Sequence, residues 1–345
     1  SGVLVRDQES GEEFSIAADV IVNTSGPWTD LTNEALGRET LFMGGTKGSH
    51  IVLDHPELLR ATQGREIFFE HSDGRIVLIY PLKNRVLVGT TDIDADPREP
   101  ARCTEEEVDY FFDLIAHVFP KLTVTRDDIV FRFSGIRPLP RHEDTAPGFV
   151  SRDYRIELDE TGSVPVLSLV GGKWTTFRAL GEALSDRVLS VLGKQRTVTT
   201  AGLAIGGGKG YPATDAARRQ WQQRNLAGAG SRADLLVARY GTRAADVWQH
   251  IEQSDDRPLA GITLSTGELE WMVRNELVVR LADVVLRRTS LAFTGDATAG
   301  VIGRIADALA PLLQWDETRK QQEIETTIQH LDDAHGVSID TLARN

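Results

Sequence analysis

The chain of 345 residues is poor in several things by which function often announces itself. It has one cysteine, Cys103, so neither an internal disulfide nor a cysteine-built zinc site can form. Cys103 reads as an inert thiol, suited to a reducing compartment such as the cytoplasm. Positive charge is also scarce. Lysine and arginine number 38 against 51 aspartates and glutamates, a formal net charge of -13, which argues against nucleic-acid binding through broad phosphate neutralisation. An anionic ligand must then be gripped by a local set of arginines. No segment nears the roughly 18 unbroken apolar residues of a spanning helix, and the N-terminus has no basic stretch followed by a hydrophobic one. The chain is therefore expected to be soluble, or at most peripheral on the inner face of the cell membrane.

Familiar site motifs are missing too. The eight histidines form no HExxH or other close metal spacing, so no metal site is expected. The glycine run of "AIGGGKGYP" fails as a phosphate loop, because Leu203 stands where a glycine is required and Gly210 follows Lys209 in place of Ser or Thr. Asp92, Asp94 and Asp96 alternate like a calcium loop, yet Pro97 occupies the place of the turn glycine and no Glu closes it. A G-x-G-x-x-G dinucleotide fingerprint is absent from the whole chain.

What remains is organised in two styles. "SGVLVRDQESGEEFSIA" opens in strand-like alternation around a turn, and "ADVIVNTSGPW" reads as a buried strand leaving its sheet at Ser25, Gly26 and Pro27. Between 47 and 92, "SHIVL", "EIFFEH", "RIVLIYPL" and "RVLVGTTD" predict an antiparallel sheet. "CTEEEVDYFFDLIAHVF" changes to helical period, with Thr104 as N-cap, before "DDIVFRFSGIRPLP" returns to strand. "AIGGGKGYP" is a linker, and everything beyond it reads as helix, most strongly one helix over 267–289 carrying Trp271, Leu277, Val278, Leu281, Val284 and Val285.

The stretch "LSLVGGKWTTFRALGEALSDRVL" hands a strand to a helix through Gly171, Gly172 and Lys173, with Thr175 and Thr176 behind. Such a turn lets backbone approach a flat ligand and aims helix N–H groups at negative charge. It is equally the composition of a plain Gly-Gly turn with Thr175 as a routine N-cap. Elsewhere "TKGSHIVL" offers Lys47 and His50, "VLVGTTD" offers Thr90, "SGIRPLP" offers Arg137 and "VSRDY" offers Arg152. Their bland readings are a structural histidine, a solvated Lys47, a strand-ending threonine, an arginine packed on a turn, and an Arg152 paired with Asp153 or Asp159.

Together with "VNTSGPW" and "GGKWTTFR", these motifs resemble, in order and spacing, the FAD-dependent glycerol-3-phosphate dehydrogenases and the similar α-glycerophosphate oxidases. "RNELVVRLADVVLRRTSL", with Glu276, Asp283, Arg287, Arg288 and Thr289, resembles that family's C-terminal domain. Thr24-Ser25 stands where the family usually has Ala-Thr, a change that keeps the turn. The resemblance implies an α/β (α+β) fold: a partial FAD-binding domain (1–45 and 141–200), an antiparallel substrate cap (46–140), a linker (201–212) and an all-helical C-terminal domain (213–345). It implies oxidation of sn-glycerol 3-phosphate to dihydroxyacetone phosphate by hydride transfer to FAD, with quinone or oxygen as the electron acceptor. His50, Arg137 and Lys173 would be catalytic, and Arg137, Arg152, Thr90 and Lys173 would face substrate. Ser25, Gly26, Trp28, Gly171, Gly172, Lys173, Thr175 and Thr176 would hold the cofactor. Arg287 and Arg288 read most simply as helix C-terminal charges, with a quinone, membrane or homodimer contact as the alternative. The family's N-terminal unit, which carries the glycine fingerprint, is not among these residues, so this stretch alone is expected to hold FAD weakly and not to turn over. Flavin amine or amino-acid oxidation, and a flavin-free binding module, are the competing readings.

Overall fold

A computed structural model describes residues 2–141 and 153–338. The strands are β1 (Gly2–Arg6), β2 (Glu13–Ala17), β3 (Ile21–Asn23), β4 (Thr46–Leu53), β5 (Ile67–Glu70), β6 (Ile76–Leu82), β7 (Arg85–Gly89), β8 (Ile93–Asp94), β9 (Ile129–Arg137), β10 (Arg155–Asp159) and β11 (Val166–Val170). The first helices are α1 (Thr29–Ala35), α2 (Pro56–Ala61), α3 (Glu105–Val118) and α4 (Phe177–Val191). The helical C-terminal part follows with α5 (Asp215–Asn225), α6 (Arg232–Tyr240), α7 (Ala244–Gln253), α8 (Thr266–Asn275), α9 (Ala299–Leu313) and α10 (Glu317–His335). The mixed α/β class with a helical end is as the sequence predicts.

β4 is the hub. It pairs antiparallel with β7 and β8 along one edge and with β9 along the other, in a six-stranded sheet completed by β5 and β6. Alternation along these strands sends Ile51, Leu53, Val86 and Val88 to one face, where α2 and α3 cover them. Val52 and Phe131 point to the other face, against residues of α8, α9 and α10. The sheet is thus buried on both sides along much of its length. α3 begins with a full capping box between Thr104 and Glu107.

A second, three-stranded sheet has the order β10-β11-β3, with β11 and β3 parallel. The run expected to be a buried strand proves to be the edge of this sheet, and Val22 is 40% exposed. β3 has a strand neighbour on one side only, and the sheet face to which Val22 points is left partly open among the described residues.

The expectation of one helix over 267–289 is also corrected. α8 ends at Asn275, Leu277 takes a left-handed backbone (φ 56) and is 87% exposed, and a π-helical turn covers Asp283–Arg288. The apolar positions serve two different cores: Trp271 packs among α5–α7, whereas Val278, Leu281, Val284 and Val285 pack against α9, α10 and the sheet. α8 alone reaches both cores, through Trp271 on one side and Leu269 and Met272 on the other; after it the chain turns, and Asp283 accepts the backbone N–H groups of Val279 and Arg280 at the new start.

Candidate functional site

Two glycine turns sit side by side at the carboxyl ends of the parallel strands β3 and β11. Ligands of open α/β sheets bind at this end, where the chain leaves the strands for helices. Gly26 (φ 65) follows β3, and Gly171 (φ 79) with Gly172 (φ 103) follows β11. A side chain at 171 would also meet the Asp153 carbonyl at 2.5 Å. Each turn continues into a short 3-10 segment, Gly26–Trp28 and Trp174–Thr176, and then into α1 or α4. The helix therefore does not begin at the double glycine, as the sequence suggests, but at Phe177. Thr175 is not its N-cap, and Thr176 donates its hydroxyl to the Lys173 carbonyl (3.0 Å). Lys173 is exposed, as is Trp174 at 87%, its ring stacked on Phe177.

The pattern Gly-x-Trp-Thr occurs at both turns, as Gly26-Pro27-Trp28-Thr29 and as Gly172-Lys173-Trp174-Thr175. The likeness of these two stretches is the signal, present in the sequence itself, that pairs the turns. Trp28, half-exposed, donates its indole N–H to the Pro97 carbonyl (2.9 Å). Ser25 looks inward: its hydroxyl donates to Asn23 (2.7 Å) and accepts from Thr32 (2.8 Å). Asn23 in turn donates to Asn33 (2.7 Å), and Asn33 to Ser168 (3.0 Å). This buried amide network braces both strands under the turns, and no motif in the sequence announces it.

The other half of the site lies on the six-stranded sheet. Thr46, Gly48 and His50 share one face of β4, and register places Arg137 opposite Thr46 and both Gly89 and Phe133 opposite His50. Missing side chains make the room. A methyl group at position 48 would lie 2.2 Å from Arg137 Nη2, and one at 89 would lie 2.1 Å from His50 Cδ2. Phe133 stacks on the other side of the His50 ring, with centroids 4.7 Å apart and planes 3° from parallel. Burial, together with the charge of Arg137, pulls the His50 pKa down to about 4. The imidazole is therefore neutral at physiological pH, with Nδ1 buried and without a hydrogen-bond partner.

Arg137 is held by three neighbours at the end of β7. Its Nη1 reaches Asp92 (3.1 Å), and its Nη2 reaches the Thr90 hydroxyl (3.0 Å) and the Thr91 carbonyl (2.9 Å). Asp92, whose sequence context fails as a calcium loop, thus proves to be the partner of the arginine. The turn after Arg137 connects the two halves: a methyl at Gly26 would sit 3.9 Å from Pro138 Cβ, and one at Gly171 would sit 3.2 Å from Pro140 Cγ. His50, Thr90 and Arg137 therefore cluster, and Pro138 and Pro140 bring that cluster up to both glycine turns. Arg152 lies outside the described residues.

Lys47 is not the solvated charge expected. Odd-numbered, it points to the opposite face of β4, is 8% exposed, and pairs with Glu107 of α3 (2.8 Å). Cys103 agrees with the inert-thiol reading, since burial, ahead of the nearby Glu107 charge, pushes its thiol up to about 12. The C-terminal motif is tied to itself: Arg287 pairs with Asp283, Arg288 with Glu276, and Thr289 donates to the Val284 carbonyl. Among the described residues no helix is long and apolar enough to cross a membrane.

Residues 1–187 match the family described as FAD dependent oxidoreductase, and residues 198–320 match the C-terminal domain of alpha-glycerophosphate oxidase. The chain belongs to the FAD dependent oxidoreductase family. Its relatives include a probable mitochondrial glycerol-3-phosphate dehydrogenase of Dictyostelium discoideum (29% identical, 96% of this chain, 53% of the relative). An aerobic glycerol-3-phosphate dehydrogenase of Bacillus subtilis is also 29% identical, over 96% of this chain and 61% of its own. An alpha-glycerophosphate oxidase of Streptococcus pneumoniae is 27% identical over 93% and 62%. The chain thus spans a little over half the length of these relatives. The structure of a glycerol-3-phosphate dehydrogenase from Bacillus halodurans, complexed with FAD, superposes with a TM-score of 0.78 at 24% identity, covering 100% of this chain and 67% of that one. This establishes the fold of the FAD dependent oxidoreductase. The two turns fit such a cofactor's flat ring: positive-φ glycines at adjacent strand ends, a lysine beside them and an exposed tryptophan.

Proposed function

We propose that this chain carries the substrate side of a flavoenzyme that oxidises sn-glycerol 3-phosphate to dihydroxyacetone phosphate, with quinone as the eventual acceptor. The observation that carries this reading is the setting of Arg137. It is a fixed cation beside a neutral histidine, on a turn that touches both glycine turns. The names of the relatives supply the substrate class.

Gly26, Trp28, Gly171, Gly172, Lys173, Thr175 and Thr176 would hold FAD, while Ser25 would act through the turn that it braces. Bound FAD supplies a two-electron acceptor for the hydride from C2. His50, kept neutral, takes the proton of the C2 hydroxyl at Nε2, the ring nitrogen nearer Gly89. Arg137 stabilises the negative charge that develops on that oxygen, and Asp92 with Thr90 keeps the guanidinium in place without reorganisation. Lys173 and Thr90 line the approach, and Arg152 takes the phosphate, where a guanidinium can make two parallel hydrogen bonds. Oxygen is the alternative acceptor.

The test is anaerobic addition of sn-glycerol 3-phosphate to the FAD-loaded full-length protein, followed by air. Loss of the flavin's visible colour supports the reading, and its rapid return in air assigns the oxidase. A flavin-loaded protein that keeps its colour overturns it.

A further inference from the structure

The face of β4 opposite His50 carries a second polar cluster that the proposed chemistry does not touch. Its centre is Glu107, 4% exposed, in the first turn of α3. One carboxylate oxygen completes the capping box by accepting the Thr104 N–H (2.8 Å) and also receives Lys47 Nζ (2.8 Å). The other accepts the hydroxyl of Thr91 at 2.6 Å. Thr91, 2% exposed, uses the same hydroxyl to accept the Ser49 N–H of β4 (2.9 Å). Burial raises the Glu107 pKa, but the Lys47 ammonium, the Thr91 hydroxyl and the Thr104 N–H together hold it below its ordinary value, so the carboxylate is ionised.

A capping box needs only one of these oxygens, and burying an ion pair is costly unless its geometry is well satisfied. The second oxygen goes to the residue whose carbonyl, on the far side of the strand, accepts Arg137 Nη2. Thr90 and Asp92, the two flanking residues, make further contacts to that guanidinium. A single segment, 90–92, therefore holds Arg137 at three points, and the middle residue of that segment is clamped between β4 and α3.

We propose that Glu107 is a positioning residue for Arg137: acting through Thr91, with Lys47 as its counter-ion, it fixes the segment whose oxygens aim the guanidinium. This rests on the reading of Arg137 as a substrate-facing arginine. The substrate arginine and the catalytic histidine would then be held from opposite faces of one strand.

Thr91→Val removes the hydroxyl and leaves Glu107, Lys47 and the capping box in place, whereas Thr91→Ser keeps the hydroxyl. The first readout is the titration of His50 by NMR, which needs no activity, because the charge of Arg137 acts on that ring. Thr91→Val is expected to raise the His50 midpoint by about half a unit to one unit, the field of one charge a few ångströms away in a partly wet site. Thr91→Ser is expected to restore it. In the FAD-loaded full-length protein the acid limb of the kcat/KM profile for sn-glycerol 3-phosphate should move upward with it, and kcat/KM should fall about tenfold. A Thr91→Val protein whose His50 titrates like the parent, or a Thr91→Ser protein that behaves like Thr91→Val, overturns the proposal. A parent inactive toward sn-glycerol 3-phosphate sinks the substrate reading instead, and leaves the titration to decide whether Glu107 positions Arg137.

Discussion

Acidification should destabilise this protein through one identifiable ring. His50 is wedged between Gly89 and Phe133, and its burial, with Arg137 alongside, lowers its pKa from 6.5 to about 4. In the unfolded chain the same imidazole titrates at its ordinary value. Between pH 6.5 and 4 the unfolded state therefore binds a proton that the folded state refuses, and stability falls as pH falls through that window. Above 6.5 the group contributes no slope, and below about 4 the loss is complete. At about 1.4 kcal/mol per pH unit, the full displacement amounts to about 3 kcal/mol. Urea unfolding followed by tryptophan fluorescence, from pH 7.5 down to about 4 for the parent and for His50→Gln, isolates the term. His330 and His335, whose values are also lowered, first by burial, are common to both proteins and cancel in the difference. The parent should lose about 3 kcal/mol more than the variant across the window. Parallel curves, or a His50 midpoint near 6.5 by NMR, would refute the picture of a neutral imidazole held in a dry slot.

Three further outcomes follow from the packing. Gly89→Ala puts a methyl 2.1 Å from His50 Cδ2 with Phe133 on the ring's other face, and should cost about 1–3 kcal/mol in thermal or urea melts. Lys47→Met leaves Glu107 charged and buried without its counter-ion, a loss of about 3–5 kcal/mol in the same melts, whereas Lys47→Met with Glu107→Leu should recover most of it. Gly171→Ala forces an unfavourable φ of 79 and drives a methyl against the Asp153 carbonyl. It should weaken FAD retention on gel filtration more than it lowers the melting temperature.

Much of the candidate site is legible in the sequence because its parts are local. His50 and Arg137 sit on strands whose alternation is visible, and their neighbours Gly48, Gly89 and Pro138 are punctuation that a linear reading detects. Lys47 escapes such a reading because the burying surface, α3, comes some sixty residues later and covers the face that alternation alone leaves undecided. Asp92 suggests only a metal ligand in its local context, since its partner Arg137 is distant in the chain and meets it only once β8 and β9 both pair with β4. The segment 267–289 shows the limit of periodicity: its apolar spacing is genuine, but the helix stops at Asn275 and the chain turns at Leu277 (φ 56), which the spacing of apolar residues does not disclose. At Gly171 and Gly172 the composition discloses the turn, whereas the intervening 3-10 segment depends on backbone geometry that composition does not encode.

The most direct measurement compares single-turnover bleaching of the FAD-loaded full-length parent and its Arg137→Gln variant after anaerobic mixing with sn-glycerol 3-phosphate. If the guanidinium on β9 and the glycine turn after β11 form one reaction site, the parent should lose its flavin colour and the variant should do so at least about a hundredfold more slowly, the loss expected for one charge-stabilising donor. Equal rates in the two proteins, or a parent that never bleaches, would contradict it.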